Sequence, residues 1–185
     1  MKQAAAVRDQ TYEDGRATAV VGLAARACRE PGHVLAWLLG LHVVVWTVLP
    51  ILVCRNLQLD LAEGLALGRE WQLGYWKHPP LPWWIDDLAW RAVGDVRAVY
   101  VLGPLAVAVA LYAVWRLGRD IVGAHQALLA VVVLEGLHFF NFTAVKFNHD
   151  VMQLPLWALT GLFAFRAMRD GRNLDWAVSG AVLAL

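Results

Sequence analysis

The chain has 185 residues, of which 59% are hydrophobic and 17% charged, with ten Trp and a mean hydropathy of +0.51. Soluble domains are near half apolar and about a quarter charged, so an ordinary globular or disordered chain is excluded. Two Cys cannot build a disulfide framework, and a net charge of +1 leaves no basic footprint for nucleic acid. An integral membrane protein remains.

The elements follow in chain order. Residues 1–32 read as a cytoplasmic amino-terminal segment, carrying Lys2, Arg8, Arg16, Arg26 and Arg29. Residues 33–54 form an uncharged apolar run that at about 1.5 Å per residue crosses a hydrocarbon core of about 30 Å. With no small-residue cleavage site after Cys54, this run reads as a retained anchor and not a signal peptide. Further spans are expected over 96–115 (interrupted by Pro104), over 125–144 (carrying Glu135 and His138) and over 150–165. A fifth begins at 174 and reaches only 185, too short to cross, so the chain reads as the front part of a larger membrane protein, inactive alone.

Arg116 and Arg119, and then Arg166, Arg169 and Arg172, fall on the same side as the amino terminus if four spans alternate. The positive-inside bias makes that side cytoplasmic. Residues 55–95 and the short connection near Lys146 then face outward. Cys28 and Cys54 lie at opposite membrane edges, so no disulfide is expected between them.

The outward loop holds Trp71, Trp76, Trp83, Trp84 and Trp90. Such rings settle at headgroup depth, so the loop is expected on the bilayer surface as two amphipathic helices. The first, over 59–73, puts Asp60, Glu63 and Glu70 on one stripe opposite Leu61 and Leu65. The second follows Pro79, Pro80 and Pro82 and gathers Leu81, Trp84, Ile85, Leu88 and Ala92, with Asp86, Asp87 and Arg91 elsewhere. The fold class is therefore all-α, a polytopic transmembrane bundle with interfacial helices, its membrane domain occupying 33–185.

Asp60-Leu61-Ala62-Glu63, then Arg69-Glu70-Trp71, then Lys77-His78-Pro79-Pro80-Leu81-Pro82-Trp83-Trp84 follow one another in this loop. Lys146-Phe147-Asn148-His149-Asp150 occupies the next outward connection. In order, spacing and sidedness this resembles GT-C type membrane glycosyltransferases, aminoarabinose-transferase-like and protein O-mannosyltransferase-like (family 39-like). In that family the first loop carries an essential Asp with a Lys-Pro-Pro-Leu-like signature downstream. Two features depart from the pattern: Leu61 follows Asp60 where an adjacent Glu is common, and His78 stands before Pro-Pro with Lys77 one position earlier.

The resemblance implies an inverting transfer of a sugar from a polyprenyl-phosphate donor to a hydroxyl of a lipid, glycan or protein acceptor. It places that reaction at the outer face of a membrane, here expected to be a bacterial inner membrane. A carboxylate within hydrogen-bond reach can take the hydroxyl proton as it attacks, and Asp60 is the candidate base. Cations stabilise the departing phosphate, with Lys77, His78, Lys146 and His149 as candidates beside Glu63, Asn148 and Asp150. No cofactor is required, although a divalent cation held by Asp60 and Asp150 stays open because oxygen ligands from two loops can converge.

Each assignment has a structural rival. Asp60 can be a solvated cap, Asn148 and Asp150 can cap the following helix, and Glu63 and Glu70 can be ion-pairing surface residues. Glu135 and His138, three apart within a span, read first as a packing pair. They are also the pathway residues of a competing reading, a transporter or flippase. A structural subunit would depend on neither group.

Overall fold

The computed structural model describes Gly22 and residues 29–185, so most of the expected cytoplasmic segment, with Lys2, Arg8, Arg16, Arg26 and Cys28, lies outside the described residues. Among the described residues the regular structure is entirely helical. It comprises α1 (Pro31–Val53), α2 (Leu59–Gly68), α3 (Pro80–Val93), a 3-10 turn (Val96–Val101) running into α4 (Leu102–Val122), α5 (Ala124–Glu135), a second 3-10 turn (His138–Phe140), α6 (His149–Asp170) and α7 (Asn173–Leu183). Three segments are long and apolar enough to cross a membrane: Pro31–Val53, Val96–Val122 and His149–Asp170. The all-α, polytopic expectation holds.

The local signals explain the helix starts. Pro31 and Pro80 stand in the first turns of α1 and α3, where no backbone donor is needed. Asn148 caps α6 by accepting from the Val151 amide at 3.1 Å.

α4 is the central helix, packed against α1, α5 and α6. Lipid tails are as apolar as leucine, so association in a membrane depends on close packing, which small residues permit. α4 supplies them on its buried side with Gly103, Ala106, Ala110 and Ala113, interleaved with Val107 and Leu111. α1, by contrast, leaves Trp37, Leu41, Val44, Leu52 and Val53 exposed, as expected of a helix whose outer face meets lipid.

α4 and α6 run in the same direction. The start of α4 touches the chain just before α6, where a Cβ on Gly103 would run into the Ala144 carbonyl. At the far ends Asp120 pairs with Arg169 at 3.0 Å and Arg166 at 3.8 Å. The return between them differs from the expected span over 125–144. α5 stops at Glu135 after 12 residues, about 18 Å of rise. Asn141 explains the stop, because its side-chain amide donates to the Glu135 carbonyl at 2.7 Å and satisfies one of the open helix-end acceptors. The remaining ascent is irregular chain, with Ala144, Val145 and Phe147 buried in the core. Non-helical backbone at membrane depth is tolerated where protein covers it.

The packing pair expected between Glu135 and His138 does not form. Glu135 meets His42 of α1 at 2.7 Å, while His138 bonds Thr143 at 3.0 Å and lies against Phe142. His42 is not among the expected polar residues, since a lone His in an apolar run carries no local signal for its partner.

Candidate active site

α2 and α3 form a helical hairpin at the end of α1, and the start of α6 closes against it. The two expected loop helices exist, but the first ends at Gly68 and not near residue 73. The chain turns at Trp71, a non-glycine residue with φ of 48°. That conformation is costly for a bulky side chain and persists where its surroundings hold it. Trp71 stacks on Trp84 at 5.6 Å and donates its indole N–H to Asp87 at 2.7 Å.

The second helix turns an unexpected face inward. Pro82, Trp83, Asp86 and Asp87 are buried, while Leu88 of the apolar stripe is exposed. Asp87 accepts from Trp71 and from Arg91 Nε at 2.6 Å. Asp86 is fully buried with no hydrogen-bond partner on either oxygen among the described residues, and burial pushes its pKa up to about 8. A sequence signal for this contact existed in Gly64 and Gly68, four apart on α2, a spacing that lets another helix approach closely.

Seven candidate residues fall into three groups. Asn148 donates its side-chain amide to Asp60 Oδ2 at 2.9 Å, joining the two connections. Lys77 Nζ donates to both oxygens of Glu63, at 3.1 and 2.9 Å, across the mouth of the hairpin. The imidazoles of His78 and His149 stack with centroids 3.8 Å apart and planes 24° from parallel, and His149 pairs in turn with Asp150 at 3.3 Å. Trp83 supports this cluster from below, meeting His78 edge-on at 5.6 Å and Tyr75 at 4.5 Å.

Burial holds the His78 imidazole below its ordinary pKa. His149 and Lys77 push the same way, outweighing Glu63 and Asp60. Lys146, the remaining candidate, is half-buried and pairs with no acid among the described residues. Among the described residues no group of three or more His, Cys, Asp or Glu is gathered as a metal ion would need.

Two hollows lie along α6. One, about 180 Å³, runs from Pro79 and His149 of the cluster along Gln153, Trp157 and Thr160 toward α7. The other, about 230 Å³, is almost wholly apolar and lies under Ile85 between α4 and α6, with Phe147, Met152 and Leu159 in its wall. Met152 and Leu156 of α6 border both.

These features define a polytopic helical membrane protein with a polar site at one end of its bundle, flanked by apolar grooves. A family profile described as dolichyl-phosphate-mannose-protein mannosyltransferase matches residues 77–185, more than half of the chain, and the chain belongs to that family. It is a membrane glycosyltransferase of the GT-C type. The match starts at Lys77 and takes in His78, Lys146, Asn148, His149 and Asp150, while Asp60 and Glu63 precede it. No curated protein and no solved structure matches the chain.

Proposed function

We propose that the protein transfers a sugar from a polyprenyl-phosphate carrier to a hydroxyl acceptor at the outer face of a bacterial inner membrane, with inversion at the anomeric carbon and Asp60 as general base. The observation that supports this most is the hydrogen bond from Asn148 to Asp60, which ties a half-buried carboxylate of the first connection to the start of α6 in the second. An acid held by one neutral donor keeps an oxygen available for an incoming hydroxyl. Lys77, His78, His149 and Lys146 then face the leaving phosphate, and hydrogen bonds to a charged oxygen are the strong ones. The apolar hollow under Ile85 suits a prenyl chain that stays in the bilayer while its headgroup reaches the site.

The test is transfer of radiolabelled mannose from polyprenyl-phosphate mannose in membranes carrying the whole protein, every transfer assay below being run on that form, mannose being the sugar in the family's description. Asp60→Asn is expected to lower transfer by about 10²–10⁴-fold with insertion intact, the range for loss of a general base. Transfer at the wild-type rate would remove Asp60 from the role.

A further inference from the structure

Asp86 takes no part in the chemistry proposed for Asp60, yet it occupies the tightest contact in the hairpin. A Cβ added at Gly64 would run into the Asp86 carboxyl, and one added at Gly68 would run into the Trp83 carbonyl. Asp86 therefore packs on bare α2 backbone, one residue beyond Glu63 and one turn beyond Asp60. Trp83, on the same buried face of α3, holds His78 and Tyr75 edge-on. One seat thus sets the distance between the acids of α2 and Lys77 and His78, which lead into α3.

Among the described residues no counter-charge reaches that seat. On α2, Asp60 bonds Asn148 and Glu63 holds Lys77. In the connecting chain Glu70 bonds Gln72, Arg69 covers Trp90, and His78 stacks on His149. Asp87 and Arg91 pair with each other, Asp95 caps the following turn through the Arg97 amide, and His149 pairs with Asp150. None bonds to Asp86, and desolvation is the cause of its raised pKa. An isolated buried carboxyl is far less costly as the neutral acid than as the anion.

We propose that Asp86 is a positioning residue for sugar transfer: a neutral carboxylic acid seated on Gly64 that fixes α2, with Asp60 and Glu63, against Lys77 and His78. The proposal rests on the transferase reading above. Charging the group inserts an unpaired anion where there is no room for water, so the two helices part and the site opens.

Two measurements separate the proposal from the reading beneath it. The first is labelling of Leu65→Cys, a buried α2 position, in a Cys28→Ala, Cys54→Ala background. Between about pH 7 and about pH 9 its labelling rate is expected to rise by up to about tenfold more than in the same chain carrying Asp86→Asn, which cannot charge. The second is the pH profile of transfer. It is expected to fall about tenfold per pH unit above the Asp86 pKa in the wild type and to lose that limb in Asp86→Asn. Equal labelling in the two backgrounds overturns the role of Asp86, whether or not transfer is detected. So does an alkaline limb that survives in Asp86→Asn. A labelling difference with no transfer from any polyprenyl-phosphate sugar overturns the transferase reading and leaves the docking intact.

Discussion

Asn148 donates a hydrogen bond to Asp60 across 88 positions of sequence, at 2.9 Å. The same side chain caps α6 through the Val151 amide, so one residue both starts a membrane helix and orients the candidate base. The two duties can be separated chemically. Asp is as good a cap as Asn but cannot donate to a carboxylate, and it places a like charge beside one.

Asn148→Asp is therefore expected to lower the melting temperature by a few degrees through the lost bond and the like charge, yet to lower transfer by about 10- to 100-fold at temperatures where the protein stays folded, the worth of a hydrogen bond to a charged group. Thermal unfolding in detergent beside a transfer assay checks it. A fall in transfer that only tracks unfolding would make Asn148 merely structural.

His78 makes acid pH a second lever. Its folded pKa lies below the unfolded value of 6.5, so the native state binds fewer protons than the unfolded chain and stability declines as pH falls through that value. His78→Phe retains a ring against His149 and Trp83 and removes the titration. The expected outcome is a flatter dependence of melting temperature on pH between about 7 and about 5 than in the wild type. An unchanged slope would assign the acid sensitivity to another group.

The His42–Glu135 pair ties α1 to α5, and among the described residues His42 Nε2 and Glu135 Oε2 have no hydrogen-bond partner. Removing either partner strands the other in an apolar setting. Glu135→Leu is expected to cost about 0.5–2 kcal/mol of stability, and His42→Leu combined with it less than the two single changes summed. Folded yield is expected to fall more than specific activity. The opposite ordering would give the pair a part in transfer itself.

Gly64→Ala puts a methyl group into the Asp86 carboxyl. Overpacking of this kind costs about 1–3 kcal/mol. Asp86→Ala vacates the same space, so the double variant is expected to be more stable than Gly64→Ala alone. Purely additive losses would mean that α2 and α3 are not in the contact described.

Much of this protein was legible one segment at a time. Apolar length marked the helices that reach across a bilayer, because the required span is a property of a single segment. Pro31 and Pro80 announced helix starts, and the order of Asp60, Lys77-His78-Pro79-Pro80 and Asn148-His149-Asp150 pointed to the family. Tertiary structure decided where α5 ends, since the group that satisfies its last carbonyls is Asn141. It also chose His42 over His138 as the partner of Glu135, and buried Asp86 and Asp87 where the helical wheel set them apart from the apolar stripe. The reason is common to all three. Periodicity describes the faces that a helix owns, but which face is covered, and which distant group meets a polar atom there, depends on neighbours that no local stretch of chain contains.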